Sequence, residues 1–131
     1  MKLGPDSPET LALYPHKKGV NPLDWKKVHK NLLLVAYFYV NFCEQHGIPV
    51  LFTSIIRAMI PGISKTDIHA KGRAFDASAK GWTKELKDEF EGLVEEAFEH
   101  VAAIAITTGK PNAIEWHDAG RGDHAHLQVR P

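Results

Sequence analysis

The stretch that most limits what this chain can fold into runs from Asn21 to Gly47. Apolar residues recur there at spacings of three to five: Leu23, Val28, Leu32, Val35, Tyr39 and Phe42. That is the period of one helix face. Leu33, Leu34, Ala36 and Phe38 widen the stripe, so the helix is mostly buried. Asn21-Pro22 supplies a cap and a proline at the first helical position, and Gly47 with Pro49 ends the helix. The rest of the chain has to cover it.

The remaining segments read as follows. Residues 1–20 hold Pro5, Pro8 and Pro15 and form an arm, with Ser7 capping one helical turn that starts at Pro8. Residues 49–56, rich in β-branched side chains, form a strand running into Arg57. Pro61-Gly62 marks a loop, and 72–78 is the next strand. A second helix starts at Thr83, with Leu86, Phe90, Leu93, Ala97, Phe98 and Val101 as its stripe. Three close strands follow at 101–107, 113–117 and 123–129. Helix, strand, strand, helix, then three strands predicts an α+β domain, an antiparallel sheet with the two main helices packed on one side.

At 131 residues the chain is expected to be one domain, the arm 1–20 and a core 21–131. Sixteen Lys plus Arg balance sixteen Asp plus Glu. No net field favours nucleic acid or an anionic membrane, and neither is an expected partner. The single cysteine, Cys43, excludes a disulfide framework and a cysteine zinc site, and it reads as a small buried hydrophobe. His29 and His46 read as capping or surface residues at the ends of the first main helix. The start of the chain turns polar at once, so the protein is expected to be made in the cytoplasm without a signal peptide.

The chemistry gathers in two places. His69 and Asp76 stand seven apart in Asp67-Ile68-His69-Ala70-Lys71-Gly72-Arg73-Ala74-Phe75-Asp76, and the second run is Asp123-His124-Ala125-His126. His69, Asp76 and His126 are the expected ligands of one zinc ion, leaving a position for water as catalytic zinc sites do. Gly72 and Ala74 suit a backbone that approaches a site closely. His124 and His126 share a strand face, which puts His124 beside the substrate. Asp123 is placed to act as general base and then acid. Glu115 is its rival, and His117 and Asp118 are rival ligands, read as lying outside the site. Arg57, at a strand end before a Gly/Pro loop, is placed to point into the site.

His69, Gly72, Ala74 and Asp76 match, position by position, the motif S-x-H-x-x-G-x-A-x-D. This stretch resembles the zinc D-alanyl-D-alanine carboxypeptidases and dipeptidases, which share a fold with hedgehog domains and the phage L-alanyl-D-glutamate endolysins. Asp67 replaces the initial Ser. The resemblance makes His126 the third ligand, as the second His of an H-x-H pair. It makes Asp123, three residues earlier, the base. Thr53 to Arg57 resembles the segment whose Arg contacts the scissile carbonyl, without the usual Gly-Tyr before it. His124 is read as assisting the oxyanion, and Ser54, Glu115 and Trp116 are assigned to substrate binding. The expected function is hydrolysis of peptidoglycan stem peptides by a monomeric zinc peptidase, suited to a phage or prophage lysis enzyme. The cell wall is reached after release. The alternative is a zinc-stabilised binding module of the same fold without turnover.

Overall fold

The computed structural model describes residues 5–55, 72–102, 113–118 and 123–130; for His117, Asp118 and Asp123 the description covers the backbone alone. The elements are α1 (Pro8–Leu11), a 3-10 helix (Pro22–Lys27), α2 (Lys30–Gln45), β1 (Phe52–Ser54), β2 (Ala74–Ser78), α3 (Lys84–Phe98), a second 3-10 turn (Glu99–Val101), β3 (Ile114–Asp118) and β4 (Asp123–Gln128). The four strands form one antiparallel sheet in the order β1-β2-β4-β3. The α+β class therefore holds. The strand expected at 101–107 lies largely outside the described residues. Within them, Ala102 forms an isolated antiparallel bridge to Val129.

The first main helix is not continuous. The Asn21 side chain accepts the Leu23 amide at 3.0 Å, but the turn it caps is six residues of 3-10 helix. Val28 is extended (φ −83°, ψ 160°). His29 then caps α2, its ring accepting the Asn31 amide at 3.1 Å. The break is tied to the residues leading into β2: the His29 amide donates to the Gly72 carbonyl at 2.8 Å. The apolar stripe rotates at the break. Leu23, expected inside, is 60% exposed, whereas Trp25 is fully buried. Leu34 is also exposed, so the buried face of α2 is narrower than its composition suggests.

Gly47 (φ +67°) ends α2 as expected. The Ile48 amide reaches back to the Cys43 carbonyl at 2.8 Å, closing a Schellman-type turn that only a glycine enters without a Cβ penalty. Thr83 caps α3 by accepting the Leu86 amide. Cys43 is buried, and burial pushes its thiol up to about 12, so it stays a neutral core thiol.

Cross-strand partners share a sheet face. Phe52 is opposite Ala77, Ala77 opposite Ala125, and Phe75 opposite Leu127. All five are buried. Aromatic rings bridge this face to the helices. Trp25 lies 4.8 Å from Phe52 and 5.3 Å from Phe75, and Tyr39 lies 5.9 Å from Phe75. Phe42, Trp82 and Phe90 join α2 to α3 in the same cluster. The core thus sits between the helices and one side of the sheet.

The arm closes the outer edge of β1. The Phe52 amide donates to the Pro15 carbonyl at 3.0 Å and the Lys17 amide donates to the Phe52 carbonyl at 2.9 Å. Covering an edge strand in this way removes a template for unwanted pairing. His16 anchors the arm. Its Nε2 accepts the Trp25 indole N–H at 2.9 Å, so Nδ1 carries the proton and donates to the Tyr14 carbonyl at 2.6 Å. The Tyr14 hydroxyl donates to the Glu44 carboxylate. The described residues contain no helix long and apolar enough to cross a membrane.

Candidate functional site

The strand alternation that sends Phe75, Ala77, Ala125 and Leu127 to the helices sends their neighbours to the other face. Asp76 is opposite His126, and His126 is opposite Glu115. Ser54 is opposite Asp76. One row of polar residues, Ser54, Asp76, His126 and Glu115, therefore crosses all four strands. A second row lies two residues along, with Ser78 opposite His124.

Ser54 joins the row only because β1 is irregular. Phe52 pairs with Ala77 and Ser54 with Asp76, so two steps on β1 match one step on β2. Thr53 is the extra residue of a bulge. Without it, Ser54 would share the face of Phe52 and point to the helices. Bulges re-aim side chains in this way.

The centre of the row is a direct contact. His126 Nδ1 lies 2.8 Å from Asp76 Oδ1, and each side chain is 13% exposed. The other ring nitrogen, Nε2, lies 3.0 Å from Gln128 Oε1. Burial alone lowers the pKa of the His126 ring, but the Asp76 hydrogen bond and charge outweigh it, helped by Gln128 and Glu115. The net direction is upward, toward the imidazolium.

The expected site residues separate into three groups. Asp76, His126, His124, Ser54 and Glu115 share the polar face by register. Trp116 does not. It is opposite Ala125, on the face turned to the helices, with its ring 5.0 Å from Trp82 and Lys87 Nζ 5.1 Å over it. Neighbouring strand residues point to opposite faces and Glu115 takes the polar one, so Trp116 packs on the helix side of the sheet, away from the Asp76–His126 row. His69 and Arg57 lie outside the described residues, as do the side chains of Asp123, His117 and Asp118. By backbone register Asp123 is opposite Asp118. Within the described residues no group of three possible ligands forms.

Gly72 has a reason other than closeness to a ligand. A Cβ there would lie 3.1 Å from the Lys27 carbonyl oxygen and 3.2 Å from Val28 Cα, and φ is +68°. Its close neighbour is the junction between the 3-10 helix and α2. Gln128 was the residue missed from the sequence. Its signal was present in the alternation His124, His126, Gln128 along one strand face. No protein-family model matches the chain, and neither does any curated protein or solved structure.

Proposed function

We propose that the chain is a zinc-dependent peptidase that hydrolyses peptidoglycan stem peptides, as a D-alanyl-D-alanine carboxypeptidase or an L-alanyl-D-glutamate endopeptidase. The observation that supports this most is the Asp76–His126 pair. Two thiol-free donors from adjacent strands meet at 2.8 Å on the sheet face away from the helices. A carboxylate oxygen and an imidazole nitrogen are the donor types of catalytic zinc sites. Asp76 and His126 would hold the ion with His69 as the third ligand. When bound, it supplies a Lewis acid and lowers the pKa of water toward neutrality.

The chain's own groups divide the remaining work. Asp123 takes a proton from the attacking water as its oxygen bonds to the peptide carbonyl carbon. It gives that proton to the leaving amine as the C–N bond breaks, so the products are a carboxylate and an amine. Arg57 and His124 stabilise the negative charge that develops on the carbonyl oxygen. Ser54 and Glu115, at the two ends of the polar row, flank the bound peptide. The protein works on the wall after release from the cell that makes it.

Digestion of purified peptidoglycan, read by mass analysis of the muropeptides, tests the reading. Wild type should release new peptide termini. Asp123→Asn should stay folded, keep its zinc and lose nearly all hydrolysis, whereas Glu115→Gln should keep most of it. Reversed results would transfer the base role to Glu115. Zinc binding with no cleavage of any wall peptide would favour the binding module. A wild-type protein that neither contains nor binds zinc would sink both.

A further inference from the structure

We propose that Gln128 is the positioning residue of His126: its side-chain oxygen holds the Nε2 proton and leaves Nδ1 as the nitrogen that meets a metal. The metal part of this inference rests on the function proposed above. The hydrogen-bond part does not.

Three observations carry it. Gln128 is 5% exposed, and it is the one polar or charged residue that is buried among the described residues. A buried amide is retained when its hydrogen-bonding groups are used. Its Oε1 is 3.0 Å from His126 Nε2. Its backbone is held independently of its side chain, since the Gln128 amide donates to the Ala113 carbonyl at 2.9 Å. The side chain is therefore anchored at its base by the ladder and reaches along the same strand face to the ring.

The chemistry then follows from the ring's other neighbour. His126 Nδ1 faces the Asp76 carboxylate at 2.8 Å. Each ring nitrogen thus faces an oxygen, Asp76 Oδ1 at Nδ1 and Gln128 Oε1 at Nε2, and each oxygen is an acceptor for a ring N–H. Were Asp76 and His126 to hold a cation, His126 would have to offer it an unprotonated Nδ1, its proton released to solvent, because a ligating nitrogen must offer its lone pair. The Nε2 proton stays on Gln128 Oε1. A metal-ligating histidine whose far N–H is accepted by a fixed oxygen keeps one tautomer and one ring orientation, and loss of such an acceptor typically weakens metal affinity about 10- to 100-fold.

The test uses the full chain with two variants. Gln128→Met removes the acceptor at similar volume, and Gln128→Glu keeps it. The first readout is the His126 ring N–H signals by nitrogen-15 NMR of the metal-free protein, at a pH where the ring is doubly protonated. Wild type and Gln128→Glu should show an Nε2 proton shielded from exchange with water; Gln128→Met should lose it. The second readout is zinc affinity and the nitrogen that ligates. Wild type should bind through Nδ1, Gln128→Met about 10- to 100-fold more weakly, and Gln128→Glu close to wild type. Ligation through Nε2, or an Nε2 proton equally shielded in Gln128→Met, would overturn the assignment. If wild type binds no zinc, the proposed function fails, while the metal-free signals still decide for or against Gln128.

Discussion

Adding one methyl group to this chain should have opposite effects at two glycines. At Gly72 a Cβ would meet the Lys27 carbonyl oxygen at 3.1 Å and Val28 Cα at 3.2 Å, both backbone atoms that cannot rotate away. The residue also sits at φ +68°, where a side chain costs about 1–2 kcal/mol. Forcing the backbone of the helix junction aside adds about 1–3 kcal/mol, so Gly72→Ala should destabilise by about 3 kcal/mol in all. Gly92 lies inside α3 with nothing within 4 Å of an added Cβ. There Gly92→Ala should stabilise by about 1 kcal/mol, the difference in helix propensity. For a domain of this size each kcal/mol moves the melting temperature by about 3–5 °C. Thermal unfolding followed by circular dichroism, with excess chelator so that metal does not contribute, should show Gly72→Ala about 10 °C or more below wild type. Gly92→Ala should melt a few degrees above it. Equal melting temperatures for Gly72→Ala and wild type would refute the packing of Gly72, just before β2, against the 27–29 junction.

Acid should loosen the arm through His16. Burial is the larger influence and lowers its pKa, while the hydrogen bond to the Tyr14 carbonyl partly offsets this. The unfolded chain therefore binds the proton more readily, so the His16 contribution is present above pH 6.5 and is lost as pH falls below it. His126 has the opposite sign in the metal-free protein. Its raised folded value makes its contribution complete below 6.5 and lost as pH rises through that value. Urea unfolding at pH 7.5 and 5.5 should show a smaller acid loss in His16→Gln, which still accepts the Trp25 indole proton; an identical loss would remove His16 as the cause. If Arg57 acts on the scissile carbonyl, Arg57→Ala should lower turnover on peptidoglycan by about two orders of magnitude with zinc content unchanged. Intact activity would make it a surface residue.

Most of the architecture was legible in local sequence because its determinants are local. Ser7-Pro8, Asn21-Pro22 and Thr83 mark helix starts, and Gly47 marks a helix end. Each works through hydrogen bonds to residues a few positions away. Strand alternation in 123–129 likewise placed His124 and His126 on one face before any partner was known. The tertiary structure decided what depends on distant segments. The helix breaks at Val28 because the His29 amide is taken by the Gly72 carbonyl, a contact no periodicity contains. Ser54 reaches the polar row through a bulge defined only against β2. Trp116 faces the helices because β3 pairs with β4 in the register that gives Glu115 to His126. The meeting of Asp76 with His126 across fifty residues, and of His126 with Gln128, belongs to both levels. The sequence supplied donors with a two-residue period, and the sheet register, set by burying Phe75 and Leu127 against the helices, brought them into contact.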